Sequence, residues 1–267
     1  AFMDIYRFSK NIEMLQEIPS RFPSELKFDR QKAQDVIRAG LDTENRLLTE
    51  REAKDLLAAY GIPVDPMESA IDKEEAVNKA EAMGYPVVLK INSREITHKS
   101  DAKGVALDLK NENEVRAAFD RIIKNAKAYH PQARIDGVTV QPMRQRPDYE
   151  LILGAKQDRD FGPVILFGMG GILTEVLKDR ALALPPLNRL LAKRLMEETK
   201  VYRLLQGYRD IPPANMQLVE EILIRLAQLV TDFSDIQELD INPLFVNEKT
   251  ACAIDARVLL KPSDKPA

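Results

Sequence analysis

An alternation of polar and apolar residues near the C-terminal end constrains the fold more than any other feature of this sequence. In the run Glu238-Leu239-Asp240-Ile241-Asn242-Pro243-Leu244, residues with side-chain oxygens alternate with leucine and isoleucine. Because successive side chains of a β-strand point to opposite faces, this period of two predicts a half-buried strand with its oxygens on one face. A second apolar run, 251–258, follows after a short polar segment, which predicts a closing β-hairpin.

The register of this hairpin brings hard oxygen ligands together. If the turn is centred on residues 248–249, Asn242 is paired with Asp255 and Asp240 with Arg257. Carboxylate and amide oxygens side by side suit Mg²⁺, which combines a few such ligands with waters and substrate phosphates. Asp240, Asn242 and Asp255 are therefore candidate Mg²⁺ ligands. An ordinary exposed strand face with an Asp240–Arg257 ion pair would have the same spacing, and the sequence leaves both interpretations open.

A lysine inside an apolar strand is the second unusual feature. Lys90 alternates with Val88 on one face of the run Pro86–Ile91. It could supply a point charge for a phosphate, or its stem could simply carry the ammonium group to solvent from a strand end. His98 follows in a polar loop, 93–103, where a neutral imidazole could accept a phosphoryl group. A solvent-exposed histidine without a chemical role is the alternative.

Two further segments are candidates for nucleotide contacts. Gln141 ends one expected strand shortly before Glu150 opens the next, which suits a hinge beside an adenine edge, with a plain loop as the alternative. The run Gly168–Gly171 could let backbone N–H groups approach a phosphate, or could be a tight connection. Together with Lys90 and His98, these residues indicate ATP-dependent phosphoryl chemistry.

Composition argues against several other functional classes. A net charge of -3 gives no global attraction to nucleic acid or to an anionic membrane, so neither is expected as a partner. The longest apolar stretch, 162–173, is too short and too rich in glycine to cross a bilayer. The single cysteine, Cys252, favours a reducing compartment, so we expect a cytoplasmic protein. Because the chain begins without methionine, we expect it to be a piece of a longer polypeptide.

The order of helical and strand patterns predicts a helical linker followed by a two-lobed body of mixed α+β or α/β class. The expected boundaries are 1–46 for the linker and 47–262 for the body, with a small lobe at about 47–140 and a large lobe at about 141–262. The expected helices lie near 4–17, 29–40, 49–60, 72–83, 113–129, 187–197, 201–206 and 215–231. The expected strands lie near 63–69, 85–92, 104–109, 138–143, 150–157, 163–168, 238–246 and 251–258.

These pieces, in this order, resemble the ATP-grasp domain of ADP-forming acyl-CoA synthetases, which are relatives of succinyl-CoA synthetase. The resemblance covers about 47–262 and rests on the runs Leu47–Pro63, Pro86–Ile91, His98–Asp101, Phe161–Ile172 and Leu239–Leu244. It implies an ATP-grasp fold, in which two lobes hold ATP or ADP and Mg²⁺ between them. It also implies CoA-binding and ligase domains, in the same or a partner chain, with a CoA thioester and a carboxylic acid as substrates.

The resemblance assigns a role to each candidate residue. Lys90 matches the lysine on the nucleotide phosphates, Gln141 falls in the hinge beside adenine, and Glu150 matches a glutamate lining the nucleotide site. Asn242 and Asp255 match the Mg²⁺ ligands. His98 matches the histidine of a mobile loop that carries phosphate between the CoA-binding part and the nucleotide. Relatives commonly have glycine where this chain has Lys103, whose side chain restricts the backbone although its charge could still serve a phosphate.

Three functions are compatible with such a domain. The expected one is an enzyme that interconverts acyl-CoA, ADP and phosphate with a carboxylic acid, CoA and ATP through phosphohistidine. The alternative is a regulatory, catalytically inactive domain of a protein lysine acetyltransferase. A carboxylate–amine ligase of the same fold would use an acyl phosphate and would have no role for His98. The enzyme is favoured because the full set of matching residues is present: Lys90, His98, Glu150, Asn242 and Asp255.

Overall fold

The computed structural model of the protein describes residues 26–96, 98–144, 147–171 and 179–262. The α-helices in these ranges are α1 (Arg30–Leu41), α2 (Glu50–Ala59), α3 (Lys73–Met83), α4 (Glu112–Tyr129), α5 (Arg189–Glu197), α6 (Val201–Leu205) and α7 (Met216–Asp232). The β-strands are β1 (Glu68–Ala70), β2 (Val87–Ile91), β3 (Val105–Leu109), β4 (Val138–Pro142), β5 (Tyr149–Asp158), β6 (Gly162–Met169), β7 (Arg180–Ala183), β8 (Ile236–Val246), β9 (Ala251–Ala253) and β10 (Ala256–Leu260).

The strands form two antiparallel sheets, which makes the fold α+β. The smaller sheet has four strands in the order β1-β4-β2-β3, and α3 and α4 pack against it. The larger sheet has the order β10-β8-β5-β6-β7, with β9 also paired to β8. No helix within the described ranges is long and apolar enough to span a membrane.

Each sheet has its own hydrophobic core. The core of the smaller sheet contains residues between Ala70 and Val140. The core of the larger sheet contains residues of α5, α6 and α7 together with Ile37 of α1 and Leu56 of α2. Both early helices thus pack with the larger sheet, although the sequence expectation placed α1 in a linker and α2 in the small lobe. Apolar residues on a helix show that the helix is covered, whereas the sheet that covers it is chosen by tertiary packing.

Most predicted helices agree with the structure to within about two residues at each end, and the one expected near 4–17 lies outside the described residues. The start of α2 shows why local chemistry is predictive. Glu52 N donates to Thr49 Oγ1 at 3.3 Å, and Thr49 N donates to Glu52 Oε2 at 2.8 Å, which is a complete capping box. The helix ends before Gly61, which has a φ of 70° that glycine adopts without strain.

Three strand predictions differ from the structure. The strand expected at 63–69 is reduced to β1, and Val64 forms only an isolated bridge with Ala253. Strand β7 was not expected, because its four residues form a short run without polar–apolar alternation directly before Leu184, Pro185 and Pro186. The last expected strand is divided into β9 and β10 around Ile254 and Asp255. This interruption leaves Asp255 outside the regular ladder, at the mouth of the site described next.

Candidate functional site

The C-terminal hairpin has the predicted register. Arg257 of β10 is opposite Asp240 of β8, and Asn242 N donates to Asp255 O at 3.3 Å. Leu239 and Ile241 are buried in the core, whereas Asp240 is half-buried and Asn242 is exposed. The hairpin therefore presents its oxygen-bearing residues on the face away from the core, as the alternation predicted.

A cavity of about 190 Å³ lies between this face and the loop that follows β2. Its lining includes three residues of the hairpin, two of the loop and one of α2: Asp240, Asn242, Asp255, His98, Lys99 and Glu50. Parts of the small sheet, the large sheet and α2 therefore meet at one place. Lys90 borders the same place, because its Nζ lies 3.9 Å from Asp255 Oδ2.

Lys90 lies on the central part of the small sheet and is 8% exposed. Its ammonium group does not extend to solvent. Lys90 Nζ donates to Glu50 Oε1 at 2.8 Å. Thr139 of β4 is opposite Lys90, so Gln141, two residues further along β4, shares the face of the sheet on which Lys90 lies. That face is turned toward the N-terminal end of α2.

Glu50 is the centre of a buried charge cluster that the sequence did not predict. Its Oε1 accepts hydrogen bonds from Lys90 and from Gln141 Nε2, each at 2.8 Å, and lies 3.3 Å from Lys54 Nζ. Its Oε2 lies 3.0 Å from Lys99 Nζ. One carboxylate that is 8% exposed is thus surrounded by three lysines.

The lysines keep this carboxylate ionised. Burial alone would raise the pKa of Glu50, but the charges of Lys90, Lys99 and Lys54 outweigh it and hold the pKa below its usual range. Burial lowers the pKa of Lys54, only partly offset by Glu50. For Lys99, burial is outweighed by Asp255 and Glu50, so its pKa is raised. Because the three lysines outnumber Glu50 and the nearby Asp255, the cluster has positive charge available for an anionic ligand such as phosphate.

The pKa of Asp240 is shifted in the opposite direction from that of Glu50. Burial, with further repulsion from Glu238 and Asp255, raises the pKa of Asp240 to about 6, although Arg257 opposes the change. Asp240 and Arg257 are paired across the strands, but no salt bridge within 4.0 Å joins these two described side chains. The ion pair that was the simpler explanation of this strand face is therefore not formed, and the carboxylate is available to a cation.

The oxygens fit the way in which Mg²⁺ is usually held beside a nucleotide. Among the described residues, no group of three or more His, Cys, Asp or Glu side chains could form a dedicated metal cage. Mg²⁺ rarely uses such a cage and is commonly bound by one or two carboxylates together with substrate phosphates. Asp255, Asn242 and Asp240 could supply that partial set. Their assignment to Mg²⁺ stays a prediction.

The loop that carries His98 is closed by backbone hydrogen bonds. Gly104 N donates to Lys99 O at 2.8 Å, and Lys103 N donates to Ser100 O at 2.9 Å. Lys103 has a φ of 47°, in the left-handed region that favours glycine. The loop therefore takes a glycine-type conformation with a lysine in place. His98 is exposed and faces the cavity, which leaves its imidazole accessible.

Glu150 and the glycine run are not among the residues that line this cavity. Glu150 is half-buried on β5 opposite Phe245, and its main-chain oxygen accepts from Gly170 N at 2.8 Å. A Cβ added to Gly170 would lie within 3.0 Å of the backbone of Leu151, so this glycine permits a tight connection. The residues that follow, 172–178, are outside the described ranges. The nucleotide contacts predicted for Gln141 and Glu150 stay predictions.

Glu50 could have been found in the sequence by its position relative to Lys54. Glu50, Ala53, Lys54 and Leu57 occur at the spacing of one helical face, and all four are buried. Two opposite charges four residues apart on an apolar stripe indicate a buried pair rather than a surface pair. Glu50 was not among the predicted site residues, although this spacing is visible in the sequence.

Comparison with known proteins identifies the family. The family model for the ATP-grasp domain matches residues 39–260. The chain belongs to the ATP-grasp domain family. The predicted ATP-grasp fold is thereby confirmed, and the relatives described next confirm the resemblance to ADP-forming acetyl-CoA synthetases.

Relatives of this ATP-grasp domain include both short subunits and longer ligases. The beta subunit of ADP-forming acetate–CoA ligase I from Pyrococcus furiosus is 42% identical over 229 residues, which cover 86% of this chain and 98% of that subunit. ADP-forming acetate–CoA ligase I from Archaeoglobus fulgidus is 40% identical over 232 residues, which cover 87% of this chain and 33% of that ligase. The chain thus spans nearly all of the first relative and about a third of the second.

A solved structure agrees in fold over the whole of the matching chain. Acetyl-coenzyme A synthetase 1 from Ca. Korarchaeum cryptofilum, in complex with coenzyme A and Ca-AMPCP, matches with a TM-score of 0.83 and 37% identity. The match covers 86% of this chain and 100% of that chain.

Proposed function

We propose that this ATP-grasp domain is the nucleotide-binding, phosphoryl-transfer part of an ADP-forming acyl-CoA synthetase. The complete enzyme would interconvert acyl-CoA, ADP and phosphate with a carboxylic acid, CoA and ATP through phosphohistidine. The observation that carries the proposal is the convergence of His98, Lys99 and the hairpin oxygens on one cavity, with Lys90 at its border. The acyl group and the CoA would be handled by CoA-binding and ligase domains, in the same chain or in a partner. We also propose a cytoplasmic location, on the grounds of the single cysteine.

The relatives support a histidine intermediate. A structure of the Ca. Korarchaeum cryptofilum synthetase with coenzyme A and Mg-AMPPCP has a phosphohistidine segment pointing towards its nucleotide binding site. It is 34% identical to this chain, with a TM-score of 0.75, and the match covers 86% of this chain and 100% of that one. A histidine loop beside a nucleotide site is therefore compatible with this fold. In the present chain, His98 is the histidine that lies at the cavity.

The residues of this chain supply the parts that phosphoryl transfer needs. In the direction of His98 phosphorylation, a neutral imidazole nitrogen donates its lone pair to the γ-phosphorus of ATP. The bond from that phosphorus to the bridging oxygen breaks, ADP leaves with the electron pair, and the ring proton is released to water. Lys90 offsets the negative charge of the phosphates during this transfer. Asp255 and Asn242, with Asp240 beside them, would hold Mg²⁺, which neutralises phosphate charge when bound.

The test is labelling of His98 by ATP. With Mg²⁺ and ATP labelled in the γ-phosphate, the chain should acquire an acid-labile, base-stable label. His98→Asn should abolish that label while calorimetry shows nearly unchanged ATP affinity. His130→Asn is the matched control, because it removes the only other histidine, at the C-terminal end of α4. A wild-type label on His98→Asn would refute the assignment. Tight ATP binding without any label on the wild type would instead favour the regulatory function.

A further inference from the structure

We propose that the ion pair between Lys99 and Glu50 docks the His98 loop at the nucleotide cavity, so that both are positioning residues for phosphoryl transfer. This inference rests on the proposed function, because docking has a purpose only if His98 exchanges phosphate with the nucleotide. Glu50 would act from α2 without touching substrate.

The geometry of the pair joins two parts of the molecule that have separate cores. Lys99 belongs to the loop between β2 and β3 of the smaller sheet, whereas Glu50 opens α2, which packs into the core of the larger sheet. Lys99 Nζ reaches Glu50 Oε2 at 3.0 Å, and the two side chains are 20% and 3% exposed. A charge pair shielded in this way is screened by salt much less than a surface pair.

The pair can control His98 because the two residues are consecutive. His98 has no side-chain hydrogen bond of its own among those found in the described structure, and its ring is exposed. The backbone of Lys99 is fixed by Gly104 N at the base of the loop. Fixing the side chain of Lys99 as well therefore fixes the position from which the His98 ring projects into the cavity. Without this anchor, the loop loses its attachment to α2, and its closing hydrogen bonds open more readily.

The Lys99–Glu50 ion pair can be removed without breaking the other contacts of Glu50. Glu50 Oε1 is held by Lys90, Gln141 and Lys54 independently of Lys99. Removing Lys99 thus leaves the buried carboxylate with two cations, so the cluster does not retain an isolated buried charge. The nearness of Asp255 to Lys99 also means that undocking would remove positive charge from the candidate Mg²⁺ site. The loop can therefore be released from α2 by loss of the Lys99 contact, while Glu50 keeps its other partners.

The experiment compares Lys99→Met with Lys99→Arg. Single-turnover labelling of His98 by Mg·ATP should slow by roughly tenfold or more in Lys99→Met at saturating ATP, since a shielded ion pair is lost. The ATP concentration that gives half of the maximal rate should change by less than about threefold, because Lys90 remains at the cavity. Lys99→Arg keeps the charge and the donor, so it should recover most of the rate. Lys110→Met, at an exposed lysine between β3 and α4, is the matched control and should label as the wild type does.

Hydrogen exchange gives a readout that does not depend on activity. Backbone amides of the loop, such as those of Ala102 and Gly104, should exchange faster in Lys99→Met and at the wild-type rate in Lys99→Arg. Labelling of Lys99→Met at the wild-type rate, or unchanged exchange in its loop, would overturn the docking role. If the wild type acquires no label on His98 at all, the proposed function fails, and the exchange measurement still decides whether Lys99 holds the loop. The docking role would also be overturned if Lys99→Arg did not recover the labelling rate that Lys99→Met loses.

Discussion

Asp240 should make the domain less stable at neutral pH than it would be without that charge. Its pKa is raised from 3.8 to about 6 by burial and by Glu238 and Asp255, with Arg257 opposing. Below pH 4 the carboxyl is protonated in both the folded and the unfolded state. Between pH 4 and 6 it ionises first in the unfolded state, so folding loses stability as the pH rises. Each pKa unit corresponds to about 1.36 kcal/mol. The shift of roughly two units therefore lowers the free energy of unfolding by no more than about 3 kcal/mol above pH 6.

Asp240→Asn removes this charge while keeping the size of the side chain. We expect the free energy of unfolding of Asp240→Asn, measured in urea, to match that of the wild type near pH 4 and to exceed it by as much as about 3 kcal/mol at pH 7. Asp160→Asn, at an exposed aspartate between β5 and β6, is the matched control and should follow the wild type at every pH. A difference that does not grow between pH 4 and 7, or a variant less stable than the wild type at pH 7, would refute the reasoning.

Binding of Mg·ADP should act against this stability difference between the wild type and Asp240→Asn. A cation beside Asp240 offsets the repulsion from Glu238 and Asp255, so Mg·ADP should stabilise the wild type more than it stabilises Asp240→Asn. Thermal unfolding with and without saturating Mg·ADP measures the two increments. Equal increments in both proteins would mean that Asp240 does not face the cation.

Three further variants test other parts of the site. Lys90→Met should weaken nucleotide binding by about tenfold or more in calorimetry, because it removes a buried point charge; unchanged affinity would contradict its role at the phosphates. Asp255→Asn should raise the Mg²⁺ concentration needed for nucleotide binding, with little change at saturating Mg²⁺; an unaltered requirement would exclude Asp255 as a ligand. Lys103→Gly should raise the free energy of unfolding by about 0.5 kcal/mol, since relief of its positive φ exceeds the entropy that glycine loses. Lys103→Ala keeps the Cβ and should bring no such gain; an equal gain would show that the backbone is not strained.

Local patterns in the sequence determined the helices, most of the strands and the register of the C-terminal hairpin. The hairpin could be predicted because one short turn fixes the pairing of Asp240 with Arg257, and an alternation of polar and apolar residues fixes which face is buried. The cap of α2 at Thr49 could be predicted for the same reason, since its hydrogen bonds join residues three apart. The resemblance of the motifs then indicated the family, which the comparisons confirmed.

Tertiary structure alone decided how these pieces meet. Glu50 comes together with Lys90, 40 residues away, and with Gln141, 91 residues away, because α2 packs in the core of the larger sheet while its first residue faces the smaller one. No local period encodes such a contact, and a carboxylate next to a capping residue is ordinarily exposed. The meeting of Lys99 with Glu50 has the same origin. Sequence thus identified most of the residues that could carry the chemistry, whereas the packing of two separate cores determined which of them share a site.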